Sequence, residues 1–393
     1  MYSKTKLERV LELHRGYDLP ERERKEGNVP IISSSGYSGL HNDYKCDGEN
    51  VITGRYGTIG EVFYHEGKCW PLNTALYVSD FKGNNPRYVY YLLKYILKRS
   101  IDGKDKSTVP GVDRNVLHQM KIPFCQDIKE QKKLITILEK IDRRIDINRK
   151  INDNLQQQLQ LLYDYWFTQF DFPDKNGKPY CSSGGKMVWN EQLKRNIPEN
   201  WAVVPLSNVF NFKSGFPFSS DLYVTKGRYK LLTIKNVQDN GINLDVDNHI
   251  NDIPSNVPDY CFLKANDILM SLTGNVGRIG IMYDDSCLLN QRVALAKPVN
   301  EDLNSFVYFL LKSDMIRKQY ETIANGSSQK NLSPVEAENI LIAYNELVAN
   351  HFASFANKYL KTIVSNLSEN ESLIHLRDWL LPMLMNGQAT ISD

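Results

Sequence analysis

Residues 127–168 carry apolar side chains on a strict seven-residue cycle, and no other feature limits the fold of the chain so sharply. One row is Leu134, Ile141, Asn148, Leu155 and Leu162; the other is Leu138, Ile145, Asn152, Leu159 and Trp166. Steps of four and three alternate, so both rows fall on one stripe of an α-helix, and that stripe needs a second helix to cover it. At about 1.5 Å per residue, forty residues of such a helix reach roughly 60 Å. Asn148 and Asn152 put two adjacent polar layers into the seam. They are either tolerated polar positions or devices that fix register and orientation at some cost in stability.

The partner helix is expected in the same chain, because the chain repeats itself. The segment from Leu7 to Tyr17 matches that from Leu206 to Phe216 at a shift of 199, with Arg15-Gly16-Tyr17 on Ser214-Gly215-Phe216. Tyr56–Gly60 matches Thr273–Gly277, and Leu72-Asn73 matches Leu289-Asn290, at a shift of 217. Tyr88–Lys94 matches Phe306–Lys312 at 218, and Val112 and Ile122 match Leu332 and Ile342 at 220. Two copies of one module follow, at 1–125 and 195–345, with helical segments at 126–170 and 346–393 and a Gly-, Pro-, Ser- and Lys-rich linker at 171–194, read as a loop.

Within each module, short β-rich runs such as Val29–Ile32 and Leu231–Ile234 alternate with turn residues, and one helix is predicted, at about 86–99 and 303–320. Shifting the first seam by 214 puts Phe352, Phe355, Tyr359, Asn366, Leu373 and Leu376 on the second seam. A neighbouring register through Leu360, Ile363, Leu367 and Ile374 competes with it. Gly387 suits the helix end. The expected fold is therefore α+β: two β-rich globular domains separated by two long antiparallel helices that form a coiled coil and hold the modules at opposite ends of a rod.

With 48 Lys and Arg against 46 Asp and Glu, the net charge of +2 excludes any argument from bulk basicity. A hydrophobic share of 41% and a charged share of 24% argue against a disordered, collagenous or membrane protein. Residues 1–16 carry charges throughout, with no apolar core of a signal peptide, so a cytoplasmic location with reduced thiols is expected. Six cysteines without a CxxC pair predict neither a disulfide framework nor a zinc site. The seven histidines form no HExxH pair, and neither GxSxG, a phosphate loop nor an Asn/Asp-Pro-Pro-aromatic tetrapeptide is present. Catalysis by this chain alone is not expected.

Two β-rich modules, each followed by a long helix, resemble the specificity subunit of type I restriction–modification enzymes. The junction is especially similar: Tyr163–Phe170, Ser182–Trp189 and Ile197–Trp201, then Lys213–Phe218 at the opening of the second module. One departure is that the Glu130-Gln131 pair before the first helix has no counterpart before the second, where the Pro123-like position is Ala343. The resemblance implies a sequence reader whose modules are target-recognition domains, each for one half of a bipartite double-stranded DNA target. It implies helices that set the gap and dock two methyltransferase subunits, with motor/nuclease subunits in the full enzyme. S-adenosylmethionine, ATP and Mg²⁺ belong to those partners, and this chain has no cofactor of its own. The competing readings are a coiled-coil scaffold that never touches DNA and a free-standing nuclease with an unrecognised site.

Candidate DNA contacts are polar-loop residues of the types that reach phosphates and base edges. In the first module they are Arg15, Tyr17, Arg22, Arg24, Ser34, Ser35, Tyr37, Arg55, Tyr56, Thr58 and Lys106. In the second they are Ser214, Phe216, Ser219, Lys235, Asn236, Thr273, Asn275, Arg278, Ser327, Ser328, Gln329 and Lys330, with the small, basic 326–331 loop the preferred segment. Residues 1–125 carry 19 basic against 15 acidic side chains, and residues 171–345 carry 18 against 19, so the first module is expected to lean more on phosphates.

Overall fold

The computed structural model describes residues 2–55, 60–101, 113–326 and 330–391. The chain forms two compact units, Met1–Ile145 with Ser372–Asp393, and Asp146–Glu371.

In the first unit, β1 (Tyr2–Lys6) pairs antiparallel with β9 (Lys121–Cys125). A four-stranded antiparallel sheet runs in the order β2 (Glu12–Arg15), β8 (Ala75–Asp80), β5 (Glu49–Gly54), β6 (Val62–Glu66). A smaller sheet has β3 (Val29–Ser33) between β4 (Gly36–His41) and β7 (Trp70–Pro71), with β3 and β7 parallel. Helix α1 (Pro86–Ile101) opens as sequence rules ask: Pro86 stands in the first turn, and the Asn85 Oδ1 accepts from the Tyr88 amide at 3.0 Å. Tyr88, Tyr91, Leu92 and Leu93 are fully buried against Leu7, Leu11 and Leu13. A short α2 (Arg114–Gln119) precedes β9.

The same unit takes in the start of α3 (Ile128–Tyr163) and the end of the last helix, α7 (Glu346–Met385). Leu134, Ile135 and Leu138 share a core with Leu381, Leu384 and Met385. Asp142 accepts from the Tyr91 hydroxyl at 2.7 Å and from Arg377 Nη1 at 2.9 Å. Gln131 is fully buried and does local work: it accepts from the Asn85 amide and donates to Asn84 Oδ1 and the Cys125 carbonyl, tying the start of α3 to that of α1.

The second unit repeats the plan. The hairpin β10 (Met187–Asn190) and β11 (Arg195–Pro198) comes first, so the segment read as a loop holds paired strands. Its turn is closed by Asn190 Oδ1, which accepts from the Gln192 and Leu193 amides. Next, β12 (Ala202–Pro205) pairs antiparallel with β23 (Leu341–Tyr344), as β1 does with β9. The four-stranded order recurs as β13 (Phe210–Ser214), β22 (Val293–Pro298), β19 (Ile268–Ser271), β20 (Ile279–Ile281). The smaller sheet recurs around β14 (Tyr229–Leu232), parallel to β21 (Cys287–Leu289), flanked by β17 (His249–Ile250) and β18 (Phe262–Leu263); β15 (Val237–Gln238) and β16 (Gly241–Ile242) are an added hairpin. The single helix predicted over 303–320 is two, α4 (Asn304–Lys312) and α5 (Asp314–Ile323). They break at Ser313, whose hydroxyl caps α5 and whose extended backbone ends α4. A short α6 (Pro334–Glu338) follows, capped by Ser333. The missing Glu-Gln pair has a stand-in: Asn357 Oδ1 accepts from the Ser305 amide and its Nδ2 donates to the Asp302 carbonyl, holding the start of α4 to α7.

Within this unit α3 and α7 run antiparallel, Asn148 meeting Asn370, Asn152 meeting Asn366, and Trp166 meeting Phe352. The first seam is as read: Leu134, Leu138, Ile141, Ile145, Asn148, Asn152 and Leu159 are buried, and Leu155 is half-buried. The second is shifted by one residue. Phe352 is buried and Phe355, Asn366 and Leu373 are half-buried, but Tyr359 and Leu376 are 47% and 42% exposed and do not belong to the seam. The row that is covered is that of the competing register: Ala349, Ala353, Ala356, Leu360, Ile363, Leu367 and Asn370, again in alternating steps of four and three. Alanine weighs little in a hydrophobic pattern, yet at a helix contact it lets the neighbour approach closely, so the small residues set the register and the large ones flank it. Among the described residues no helix is long and apolar enough to cross a membrane.

Candidate nucleic-acid interface

The duplicated backbone builds the same crossing twice. In the first unit, Arg15-Gly16-Tyr17 leaves β2 and runs beside residues 71–75. The Gly16 amide donates to the Ala75 carbonyl at 3.0 Å and the Tyr17 amide to the Pro71 carbonyl at 2.8 Å. A Cβ on residue 16 would collide with the Leu72 carbonyl, which explains the glycine. In the second unit the Gly215 amide donates to the Val293 carbonyl and the Phe216 amide to the Leu289 carbonyl, both at 3.0 Å, and a Cβ on residue 215 would collide with the Asn290 carbonyl.

Around the first crossing, Arg15 Nε donates to the Asn73 carbonyl at 3.4 Å and the guanidinium lies 3.8 Å from Asp18. The Tyr17 hydroxyl is 2.9 Å from that of Tyr77. Burial, with the bond to Tyr17, pushes the Tyr77 phenol up, so it stays protonated. The Lys45 ammonium stands 4.6 Å from the centre of the Trp70 ring and 5.6 Å from that of Tyr17. The Ser34 amide donates to Thr74 Oγ1 at 3.4 Å, and the Arg55 amide to the Thr74 carbonyl at 2.9 Å. Arg15, Tyr17, Ser34 and Arg55 thus converge on one turn, 72–75. Ser35 bonds to Ser33, and the 67% exposed Tyr37 bonds through its hydroxyl to His65 Nδ1 at 3.1 Å. Arg22 is solvated beside Glu23. Arg24 is half-buried, and its Nη1 donates to the Ser38 carbonyl at 2.9 Å, bracing β4.

The second crossing brings Ser214 and Phe216 to the turn Asn290-Gln291-Arg292. Gln291 and Arg292 are exposed there, and Arg292 holds a left-handed backbone at φ 71°. Sequence reasoning missed both, although they directly follow the Leu289-Asn290 landmark that matches Leu72-Asn73. It also missed Tyr260, 38% exposed, whose hydroxyl donates to the Ser214 carbonyl at 3.2 Å. Phe216 is half-buried against Phe218, and Ser219 Oγ donates to Asp221.

A further group surrounds a recess of about 380 Å³ beside the β19–β20 turn. The Gly274 amide donates to the Lys330 carbonyl at 2.9 Å, bringing the 330 segment against Asn275 and Arg278. Arg278 is clamped by both oxygens of Asp239, at 3.0 and 2.8 Å, and Lys312 and Arg317 complete the basic wall. Lys235 is exposed and paired with Asp247 at 2.9 Å. Two expected contacts lie inside the fold instead. Asn236, 4% exposed, caps its own turn through Thr233 and donates to the Asn243 and Asp245 carbonyls. Thr273 is 9% exposed, paired through its backbone with Asn331. Tyr56, Thr58, Lys106, Ser327, Ser328 and Gln329 lie outside the described residues.

These crossings stand in a chain with clear relatives. The family model described as the type I restriction modification DNA specificity domain matches residues 2–157 and 198–367. The specificity subunit of the type I restriction enzyme MjaIX of Methanocaldococcus jannaschii is 23% identical over 314 residues, covering 78% of this chain and 69% of that one. The MjaVIII specificity subunit of the same organism is 25% identical over 346 residues, covering 85% and 77%. Among solved structures, the type I restriction–modification S subunit from M. genitalium shares the fold at a TM-score of 0.56 and 18% identity, covering 100% of this chain and 97% of that one. With its two modules both matched, the chain belongs to the family of type I restriction–modification specificity subunits.

Proposed function

We propose that each β-rich module reads one half of a bipartite double-stranded DNA target, and that the two long helices set the gap between halves and dock two methyltransferase subunits. The chain does no chemistry alone. S-adenosylmethionine would bind the methyltransferase partners, and ATP with Mg²⁺ the motor/nuclease subunits of the full enzyme. The observation that carries this reading is the repeated crossing with unlike side chains. One backbone presents Arg15, Tyr17 and Thr74 in the first module and Ser214, Phe216 and Gln291 in the second. A repeated scaffold with divergent polar loops suits two half-sites of different sequence, since phosphate contacts position a module and base-edge contacts specify.

The test maps methylated bases in DNA modified by the complex of this chain with its methyltransferase. Exchanging residues 72–75 for a foreign turn should alter or abolish recognition of one half of the target and leave the other half unchanged. Simultaneous change in both halves, or in neither, would remove the assignment. Methylation or cleavage by the isolated chain supplied with S-adenosylmethionine or Mg²⁺ would remove the non-catalytic part.

A further inference from the structure

Residues 45–48 and 67–70 of the first unit lie alongside one another, and each stretch contributes a cysteine. Cys46 and Cys69 face each other in an antiparallel bridge. They exchange both main-chain hydrogen bonds, Cys46 N to Cys69 O at 3.1 Å and Cys69 N to Cys46 O at 2.9 Å. Residues paired in this way have Cα atoms about 5.5 Å apart and side chains on one face, within the span a disulfide bridges. Both thiols are free and lie in one small apolar cluster with Ile32, Ile52 and Ala75. None of the other cysteines is matched in this way: Cys125 faces Tyr2 and Cys287 faces Leu263, while Cys181 and Cys261 lie outside the paired strands.

The two thiols are unequal. Cys46 keeps 9% exposure and Cys69 has none. The Cys69 neighbour holds the Cys46 thiol below its ordinary range, and the Cys46 neighbour, with burial, pushes the Cys69 thiol up. The thiolate is the reactive form, so the two residues have different roles open to them. Their neighbours Lys45 and Trp70 are the pair that stands against Tyr17, so this ribbon adjoins the first crossing.

We propose that Cys46 and Cys69 form a reversible dithiol–disulfide pair, Cys46 meeting the oxidant and Cys69 resolving. With hydrogen peroxide as oxidant, the Cys46 sulfur attacks one peroxide oxygen. The O–O bond breaks, a sulfenic acid forms on Cys46, and one water leaves with the thiol proton. The Cys69 sulfur then attacks the sulfenyl sulfur, the S–O bond breaks, the S–S bond forms, and a second water leaves with the Cys69 proton. Two thiols and one peroxide give one disulfide and two waters, two electrons passing from sulfur to oxygen. A small thiol reverses the bond by exchange. The ring so closed runs from 46 to 69 and contains β5, β6 and Arg55, so oxidation fastens the base of that hairpin.

The full-length chain is reduced, exposed to hydrogen peroxide, alkylated and digested. Free thiols should fall from six to four, with Cys46 and Cys69 in one crosslinked peptide, and dithiothreitol should restore all six. Cys69→Ser should accumulate a sulfenic acid on Cys46, trapped by dimedone, and Cys46→Ser should give neither product. Retention of six thiols, a crosslink through another cysteine, or dimedone labelling of Cys69 in Cys46→Ser at the rate of Cys46 in Cys69→Ser would overturn the proposal. If a serine variant does not fold, the thiol count and peptide map of the unsubstituted chain decide alone.

Discussion

Asn152 and Asn366 give the sharpest test of how the two helices find one register. Asn152 is 3% exposed; its Oδ1 accepts from Asn366 Nδ2 at 2.8 Å and its Nδ2 donates to the Ile363 carbonyl at 3.1 Å. Asn152→Ala leaves the Asn366 donor without its acceptor, at about 1–2 kcal/mol, and opens a small void worth several tenths more. The Ile363 carbonyl loses little, because it lies mid-helix with its own main-chain partner. The total of roughly 2 kcal/mol corresponds to a midpoint about 4–8 °C lower for a unit of this size. Asn366→Ala alone strands the Asn152 Oδ1 and should cost a similar amount. The double alanine variant strands neither, so its loss should fall short of the sum by about 1–2 kcal/mol. Replacing both asparagines by leucine should restore or exceed the original stability while relaxing register. The assay is urea unfolding of all variants, followed by circular dichroism and tryptophan fluorescence. Additivity to within about 0.5 kcal/mol would refute the idea that these side chains act as one hydrogen-bonded pair.

Four further outcomes follow from the geometry. Gly215→Ala should fold poorly, since its Cβ meets the Asn290 carbonyl, whereas Gly241→Ala, with open space around it, should cost no more than the strain of its positive φ; comparable midpoints would contradict the crossing. Burial raises the Asp378 carboxyl, but the bonds from Lys98 and Arg377 outweigh it and hold the carboxyl below its ordinary value. A depressed carboxylate stabilises the fold above about pH 4 and loses that effect as pH falls through its folded value, so the gap in melting temperature between the parent and Asp378→Asn should close on acidification. Arg278→Ala should weaken DNA binding by the assembled complex and flatten its salt dependence by about one phosphate, while Asp239→Asn, which frees the cation but loosens its orientation, should raise binding to non-target DNA and narrow the preference for the target; an unchanged preference, read in gel shifts at several salt concentrations, would refute the orienting role of the carboxylate. Removing one heptad from each helix should change the preferred gap between half-sites, and an unchanged gap in a folded complex would refute the spacing role.

The legible parts of the fold were those written in large side chains. The α3 seam reads off Leu134, Leu138, Ile141 and Ile145 because branched apolar residues stand at every step over 134–145. The α7 seam reads off only as one of two registers, because the inward row through Leu360, Ile363 and Leu367 opens with Ala349, Ala353 and Ala356, while Phe355 and Tyr359 beside it favour the row one residue away. The break between α4 and α5 is silent in the periodicity, which continues through it, and is carried by the one hydroxyl of Ser313. The crossings were half legible. Repeat alignment located Arg15, Tyr17, Ser214 and Phe216, but Gln291 and Arg292 stand out only once the turn is seen to lie against Gly215. Asn236 shows the opposite limit: a polar residue type cannot tell a side chain that faces outward from one consumed by its own backbone.

Charge separates the modules in a way their shared topology does not. In the second module the exposed Lys235 and the half-exposed Arg278 each already hold a carboxylate, Asp247 and Asp239, whereas in the first Arg15 is held chiefly by a carbonyl, with Asp18 at 3.8 Å. An exposed pair is worth at most about 1 kcal/mol, so a phosphate can displace either aspartate, but the exchange releases less net attraction than meeting a free cation. On the proposed function, non-specific attraction at Lys235 and Arg278 would thereby be low, while Arg278, gripped by both carboxylate oxygens, would be held in one orientation before DNA arrives. Pre-orientation favours contacts that depend on direction, which base edges do, over contacts that depend only on charge. If the modules meet DNA as proposed, the near-neutral second one is suited to discriminate and the more basic first one to hold.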